Sequence, residues 1–270
     1  MIAKLRRGHY FGAVTQRLEV GGLLLSETWH VPYARIPPHA HQHAYLCLVR
    51  EGNYSETYGD KTRSCRPLTL AFHPAEEVHS EQLRDAGVRS FIVELSPAWA
   101  QRFNQCAPAL RNPADAQGGT PAFLGMRLYR EFRLMDAVSP LAIEGLVLEI
   151  LAALVRLTAP ARLPPWLGRA RDLLHDCLQE NLGLTEIAAA VGVHPVYLAS
   201  TFRRHFRQTI GDYQRQLRVE FACKQLARGL IPLAEIALAA GFSDQSHFAR
   251  VFKRHLGMTP GTYRKQVCDR

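Results

Sequence analysis

The last third of the chain carries one pattern twice. Leu184-Thr-Glu-Ile-Ala-Ala-Ala-Val-Gly-Val returns as Leu233-Ala-Glu-Ile-Ala-Leu-Ala-Ala-Gly-Phe. Glu186, Ile187, Ala188 and Gly192 map onto Glu235, Ile236, Ala237 and Gly241 at an offset of 49. Past the glycine the offset becomes 50, with Phe202 on Phe252, His205 on His255 and Tyr213 on Tyr263. Whatever local structure one copy forms, the other must form too. In each copy a short amphipathic segment ends at a glycine, suited to a turn with positive φ. The small Ala188 and Ala237 allow two helices to approach closely. A second helix follows, apolar on one face only: Leu198, Phe202 and Phe206, then Phe248, Phe252 and Leu256. Spacing by four keeps that face on a core. The pattern predicts two helix-turn-helix units.

The change of offset places an extra residue in the second turn. The second helix of copy two is expected to be capped by Ser243 or Asp244, whereas its counterpart starts at Pro195, a favoured first helical position. Ile210 to Ala227 reads as one long helix holding the units at a fixed separation. The faces turned away from the core carry Val196, Ala199, Ser200 and Arg203 in copy one. In copy two they carry Gln245, Ser246, His247 and Arg250. Such faces are free to enter a DNA major groove, and two of them reach successive grooves when about 34 Å apart. Charge agrees with this reading. Of the net +9, residues 164–270 carry +6 and residues 1–163 only +3. A basic excess attracts a polyanion. The competing reading is a plain helical bundle that uses Ala and Gly only for packing.

These residues resemble the DNA-binding domain of the AraC/XylS family of transcription regulators. The resemblance covers about 100 residues and is most specific from Ile236 to Arg264, through Gly-Phe-Ser-Asp-Gln-Ser-His-Phe-Ala-Arg-Val-Phe-Lys-Arg-His. It implies base-facing positions at Val196, Ala199, Ser200, Gln245, Ser246, His247 and Arg250. It also implies phosphate or surface contacts by Arg203, Arg204, Lys253 and Arg254. Family members commonly carry Gly where Arg207 stands, so the first recognition helix is expected to end differently from the second. The two faces are unequal. Val, Ala and Ser touch thymine methyls, whereas Gln, His and Arg pair with base edges. Copy two is therefore expected to set most of the specificity.

Residues 1–96 read differently. Apolar and polar residues alternate in short runs (Leu23–Trp29, Ala44–Arg50, Leu68–Phe72, Ser90–Leu95), broken at Glu51-Gly52 and Gly59-Asp60-Lys61. They predict a small antiparallel β-domain. From Pro97 the period changes. Helices are expected at 97–103, 122–136 and 140–157, with a Pro/Gly break over 108–121. The last helix is apolar nearly all round, which predicts burial or a subunit interface, so 97–157 is assigned to dimerisation. Three prolines in 158–165 mark a linker, and 166–268 is the second domain, with seven helices.

Within the β-domain, Ile36-Pro-Pro-His39-Ala-His41-Gln-His43-Ala-Tyr45 precedes Phe72-His73-Pro74-Ala-Glu-Glu-Val-His79. On a strand, His39, His41 and His43 would share a face. The pair of segments is similar to the two motifs of cupin barrels, where a His-x-His and a later His converge on a metal. His39, His41 and His79 fit those places, with Gly52 at the expected glycine. The cupin glutamate falls near Tyr45 or Leu46 and is missing. Three readings stay open: a divalent metal site such as Zn²⁺, a metal-free ligand pocket of His39, His41, His43 and His79, or structural histidines.

The six cysteines lack metal-ligand spacing and are expected to be buried thiols. No run of 18 apolar residues occurs, and the basic start lacks an apolar stretch, so neither a membrane span nor a secretory signal is expected. The expected molecule is α+β and multidomain: an N-terminal cupin-like β-barrel with a helical extension, then an all-α domain of two helix-turn-helix motifs. It is expected to be cytoplasmic and not an enzyme, since no nucleophile–base or acid pair is recognisable. Expected partners are double-stranded DNA, a small-molecule effector and a second copy of the chain, with RNA polymerase a further candidate. The alternatives are an architectural DNA-binder whose β-domain only dimerises and, more remotely, a cupin metalloenzyme fused to a DNA reader.

Overall fold

The structure is a computed structural model and describes residues 2–104, 107–158, 163–229 and 231–268. Residues 159–162 of the expected linker, and Cys106, lie outside the described residues. The chain divides into two compact units, Met1–Ala159 and Pro160–Arg270.

The first unit contains two sheets. One runs in the order β1 (Ala3–Leu5), β4 (Arg35–His41), β9 (Val78–Leu83), β6 (Tyr54–Tyr58), β7 (Lys61–Cys65). The other runs β11 (Ala114–Gln117), β8 (Thr69–His73), β5 (Tyr45–Glu51), β10 (Val88–Leu95), β3 (Leu23–His30), β2 (Ala13–Val20). All pairings are antiparallel except β1 with β4. Gly52 and Gly59 take φ of 74° and 55° in the two expected turns. Such φ values are ones that L side chains avoid.

The stretches Tyr45–Val49 in β5 and Phe91–Val93 in β10 are apolar without alternation because the second sheet is covered on both faces. Tyr45, Cys47, Ser90 and Ile92 face the space between the sheets. On the other face, Leu48 and Leu70 meet helix α2 (Gly119–Arg133), and Phe91 meets its Tyr129 and Phe132 at 5.3 and 5.1 Å. At Gly125 an added Cβ would sit 3.4 Å from both leucines, so the helix lies close to the sheet. Helix α1 (Pro97–Asn104) precedes α2, and α3 (Ser139–Thr158) packs on it.

Two sequence expectations change here. The break at 108–121 holds strand β11, which completes the sheet beside β8, so residues 97–157 are not a separate helical layer. Helix α2 starts at Gly119, three residues before the expected 122, because Pro121 sits in the first turn, where its missing N–H costs nothing. Helix α3 buries Ile143, Val147, Ile150 and Leu154 but exposes Leu141 and Leu148.

The second unit has seven helices among the described residues. They are α4 (Pro165–Asp176), α5 (Leu184–Val191), α6 (Pro195–Phe206), α7 (Ile210–Leu226), α8 (Leu233–Ala239), α9 (Gln245–Leu256) and α10 (Pro260–Cys268). The duplication is visible in the packing. Phe202 meets Tyr213 edge-on at 5.3 Å, and Phe252 meets Tyr263 edge-on at 5.5 Å, the same pair 50 residues on. Of the described cysteines, Cys47, Cys65 and Cys223 are buried and Cys177 is half-buried, not buried as expected.

Candidate functional site

Three of the four histidines singled out in the first unit meet between its sheets. Pro37 and Pro38 interrupt the β4–β9 ladder, since neither can donate to it. Pairing resumes with His39 directly opposite His79. His41 follows two residues later on the same face. One ring nitrogen from each of His39, His41 and His79 lies within 4.8 Å of the others, and all three rings are buried. His43 is not among them. Strand β4 ends at His41, so the alternation that would have carried His43 inward stops, and its ring is only half-buried.

Local carbonyls fix the tautomers. His39 Nδ1 lies 2.9 Å from the Pro37 carbonyl and His79 Nδ1 lies 3.3 Å from the Glu77 carbonyl. A carbonyl only accepts, so Nδ1 carries the proton in both rings and Nε2 keeps its lone pair. The hydroxyl of Tyr45, near which the resemblance would set the missing cupin glutamate, donates to His79 Nε2 at 3.0 Å. Nδ1 of His41 is buried without a partner. Burial, then the neighbouring imidazoles, hold His39 neutral down to about pH 4 and His41 down to about 3. Burial does the same for His79, to about 4. At neutral pH all three rings are in the form that binds metals.

A second buried network, absent from the sequence reading, adjoins these rings. Arg63 on β7 donates to Glu56 Oε2 and to His73 Nε2, both at 2.7 Å. His73 must then donate from Nδ1 to Glu77, 3.0 Å away. Its ring stacks on Tyr45 at 4.4 Å and 7°. Burial and then Arg63 hold His73 well below the usual histidine range. Burial and then the Glu56 charge raise Glu77 to about 7 and Glu81 to about 8. Only the spacing of alternate residues on neighbouring strands could have signalled this cluster, and that requires the register.

The remaining cavity is small, about 30 Å³, and of mixed polarity, lined by His30, His39, His41, Tyr45, His73 and Glu81 among others. The N-terminal segment closes one side. Tyr10 and Phe11 line the cavity, with Phe11 4.9 Å from the His39 ring. Glu94 holds that segment by accepting from the Gly8 N–H at 2.8 Å and from the Tyr10 hydroxyl.

In the second unit helices α6 and α9 start as the sequence leads one to expect, by two different caps. Pro195 opens α6 behind His194, whose ring accepts from the Val196 N–H at 3.3 Å. Asp244, rather than Ser243, caps α9 by accepting from the His247 N–H at 2.7 Å. Their ends match, against expectation: Arg207 takes the left-handed φ of 58°, as Gly257 does at 73°. Arg207 thus tolerates a conformation costing about 1–2 kcal/mol for a residue with Cβ.

Val196, Ser200, Arg203 and Arg204 on α6 are exposed, and so are Gln245, Ser246, Arg250, Lys253 and Arg254 on α9. Ala199 and His247 are half-buried. His247 packs edge-on against Phe242 at 5.4 Å, which leaves less of its ring for a partner. The Ser200 hydroxyl donates back to the Tyr197 carbonyl at 3.1 Å. Tyr197, overlooked in the sequence, is half exposed beside Val196 and Ser200 and packs on Trp166 at 5.3 Å. A helical projection of 195–206 would have found it. No ion pair engages Arg203, Arg204, Arg250, Lys253 or Arg254 among the described residues.

Comparison with known proteins agrees with both units. The family model described as a helix-turn-helix domain matches residues 168–266. The one described as an AraC-like ligand binding domain matches residues 24–151. The HTH-type transcriptional activator RhaR of Cronobacter sakazakii is 27% identical over 97% of this chain and 96% of its own length. Regulatory protein SoxS of Escherichia coli is 34% identical over 33% of this chain and 84% of its own. The C-terminal domain of AraT from Geobacillus stearothermophilus is 30% identical, spans 39% of this chain and 88% of that one, and superposes with a TM-score of 0.37. The chain belongs to the AraC/XylS family of transcription regulators, with a ligand-binding domain ahead of a helix-turn-helix DNA-binding domain.

Proposed function

We propose that α6 and α9 read two neighbouring major grooves of a promoter, and that the barrel adjusts this binding in response to a ligand. One observation carries the DNA reading. Helix α9 buries Phe248, Val251 and Phe252 and presents Gln245, Ser246, Arg250, Lys253 and Arg254 to solvent with no ion pair among the described residues. Arg250 and Gln245 can pair with guanine or adenine edges. His247 sits at the rim of that face. Arg203, Arg204, Lys253 and Arg254 suit phosphates. Helix α6 offers Val196, Ala199 and a Ser200 already bonded to its own helix, so it positions more than it discriminates.

The test is a binding-site selection from random DNA. Arg250→Ala is expected to relax preference at one base by about tenfold, the range of one lost base contact. Ser200→Ala is expected to change it by less than about twofold, since few hydrogen bonds are at stake. Equal effects overturn the assignment.

The barrel favours a metal ion as its ligand. Three neutral imidazoles converge on one point, two of them, His39 and His79, with tautomers fixed by carbonyls, and buried His41 Nδ1 lacks a partner. A drug-sized organic ligand needs about 300 Å³ or more, whereas a cavity of about 30 Å³ holds an ion or two waters. His39, His41 and His79 would hold a borderline divalent ion such as Zn²⁺, which would supply a fixed charge linking β4 to β9. Titration with Zn²⁺ by calorimetry is expected to show one equivalent bound by the wild type and at least about tenfold weaker binding by His41→Ala. Metal-free protein stabilised by organic compounds instead would favour the metal-free pocket.

Exposed Leu141 and Leu148 on α3 support a homodimer. A ligand would act by preferring one of two arrangements of sensor and reader. We place the protein in the cytoplasm, acting on RNA polymerase through DNA without a catalytic step of its own. Among the described residues no helix is long and apolar enough to cross a membrane.

A further inference from the structure

We infer that Arg218 sets the distance and rotational phase between the two recognition helices by latching the second helix-turn-helix motif onto the entry loop of the first. The inference rests on the reading that α6 and α9 both engage DNA. Arg218 lies in α7 and is buried, with 7% of its surface exposed. Its Nε donates to the Leu178 carbonyl at 3.1 Å. Its Nη2 donates to the Glu180 carbonyl and to Asn181 Oδ1, both at 2.9 Å. All three acceptors belong to the connection between α4 and α5. A guanidinium so placed is no phosphate ligand; it is a fork seated in a loop of the first motif.

The other side of the fork faces the second motif. An added Cβ on Gly241 would lie 3.1 Å from the Arg218 Cζ and 3.0 Å from the Gln179 Cα. The Arg218 guanidinium lies 5.9 Å from the Phe242 ring centre. Phe242 in turn packs on Phe248 of α9 at 5.3 Å. Gln179, in the same entry loop, donates to the Ala239 carbonyl at the end of α8, at 3.1 Å. An unbroken path therefore runs from the first motif's loop, through Arg218 and the turn at Gly241, into the second recognition helix.

The duplicated glycines show that this contact is one-sided. Gly192 and Gly241 share the left-handed φ, 74° and 81°. Yet an added Cβ at Gly192 meets nothing within 4 Å. The glycine of copy one serves only its turn. That of copy two also admits Gln179 and Arg218. Because α7 alone joins the motifs covalently, the latch is a second, non-covalent connection that resists rotation of one motif about α7.

The spacing of the two half-sites provides the test. DNA selected by the wild-type full chain from a random library is remade with one base pair inserted or removed between the half-sites. Each inserted pair turns the second groove by about 34° and moves it by about 3.4 Å. The wild type is expected to lose at least about tenfold affinity on insertion, the cost of displaced base contacts. Arg218→Lys keeps the charge but loses the fork, and is expected to lose only about threefold. Exposed Gln179→Glu sets a carboxylate against the Ala239 carbonyl without touching the core, and is expected to behave likewise, so the test does not depend on how well the Arg218 variant folds. Steep discrimination by the wild type that both variants retain overturns the latch alone. A wild type indifferent to the insertion overturns the two-groove reading, and the latch with it.

Discussion

Acidifying the metal-free protein from pH 6.5 to about 4.5 is expected to unfold its first unit. His30, His39, His41 and His79 titrate near 3 to 4 in the folded chain, and His73 well below its usual value, because burial disfavours their charged forms. Unfolded imidazoles titrate near 6.5. Below that pH the unfolded chain binds protons that the folded chain refuses, so folding loses ground as pH falls. Glu77 and Glu81 act in the opposite sense. Burial raises them to about 7 and 8, so the folded state keeps protons that the unfolded state has released, and their contribution is lost as pH rises towards 8. Five imidazoles against two carboxyls leave a net uptake of three protons on unfolding. The slope is up to about 4 kcal/mol per pH unit, large against a total stability of about 5–15 kcal/mol.

Maximum stability is therefore expected near pH 6.5, with a steep acid limb and a shallower alkaline one. Thermal midpoints measured across pH 4.5 to 8.5, followed by fluorescence of Trp29 and Trp99, check this. A midpoint level between 6.5 and 4.5 would show that the rings are more open to solvent than the barrel implies. His73→Gln is expected to reduce the acid slope by about one proton, about 1.4 kcal/mol per unit.

Glu27→Ala is expected to destabilise the same unit by about 3–5 kcal/mol, the cost of breaking a buried ion pair by removing one member. Glu27 on β3 is buried and paired with Arg50 on β5, itself only 5% exposed. The Tyr129 hydroxyl donates to Glu27 at 2.9 Å, and Arg133 reaches it at 3.3 Å. Burial alone would raise the Glu27 carboxyl, but Arg50, Tyr129 and Arg133 together hold it below the usual range. Arg50 also lies 3.8 Å above the Tyr129 ring. Removing the carboxylate takes the Glu27 ion pair from Arg50 and releases α2 from the sheet at once. Denaturant unfolding measures the loss. The double variant Glu27→Ala, Arg50→Met is expected to recover part of it, because a missing pair costs less than half a pair. A single-variant loss under about 1 kcal/mol would mean that water reaches Arg50 and screens it.

Both networks join residues far apart in the chain, and that separates what was legible from what was not. The starts of α6 and α9 were legible because capping is local: Pro195 and Asp244 act on residues within one turn. Strands β5 and β10 were legible as short runs bounded by turn residues, but the expected alternation gives way to the apolar stretches Tyr45–Val49 and Phe91–Val93, because both faces of their sheet are covered. Strand β11 was not, because Ala114-Asp-Ala-Gln117 is weak alone and becomes a strand only by pairing with β8. His43 failed because a period of two holds only while the strand lasts. Arg207 failed because the geometry of the neighbouring turn outweighs the preference of one residue.

The duplicated module, its caps and the basic bias of its end were fixed by the sequence, since helical periodicity and turn chemistry act over a few residues. The tertiary structure decided the rest. It selected His39, His41 and His79 but not His43, added His73, Glu56 and Arg63, and left the barrel a cavity of about 30 Å³. It also made the two copies unequal in a way that sequence comparison cannot show. Gly192 and Gly241 occupy the same place in the repeat, yet only Gly241 admits Arg218 and Gln179. The reason is physical: those neighbours lie 23 and 62 positions away, and only folding brings them within 4 Å.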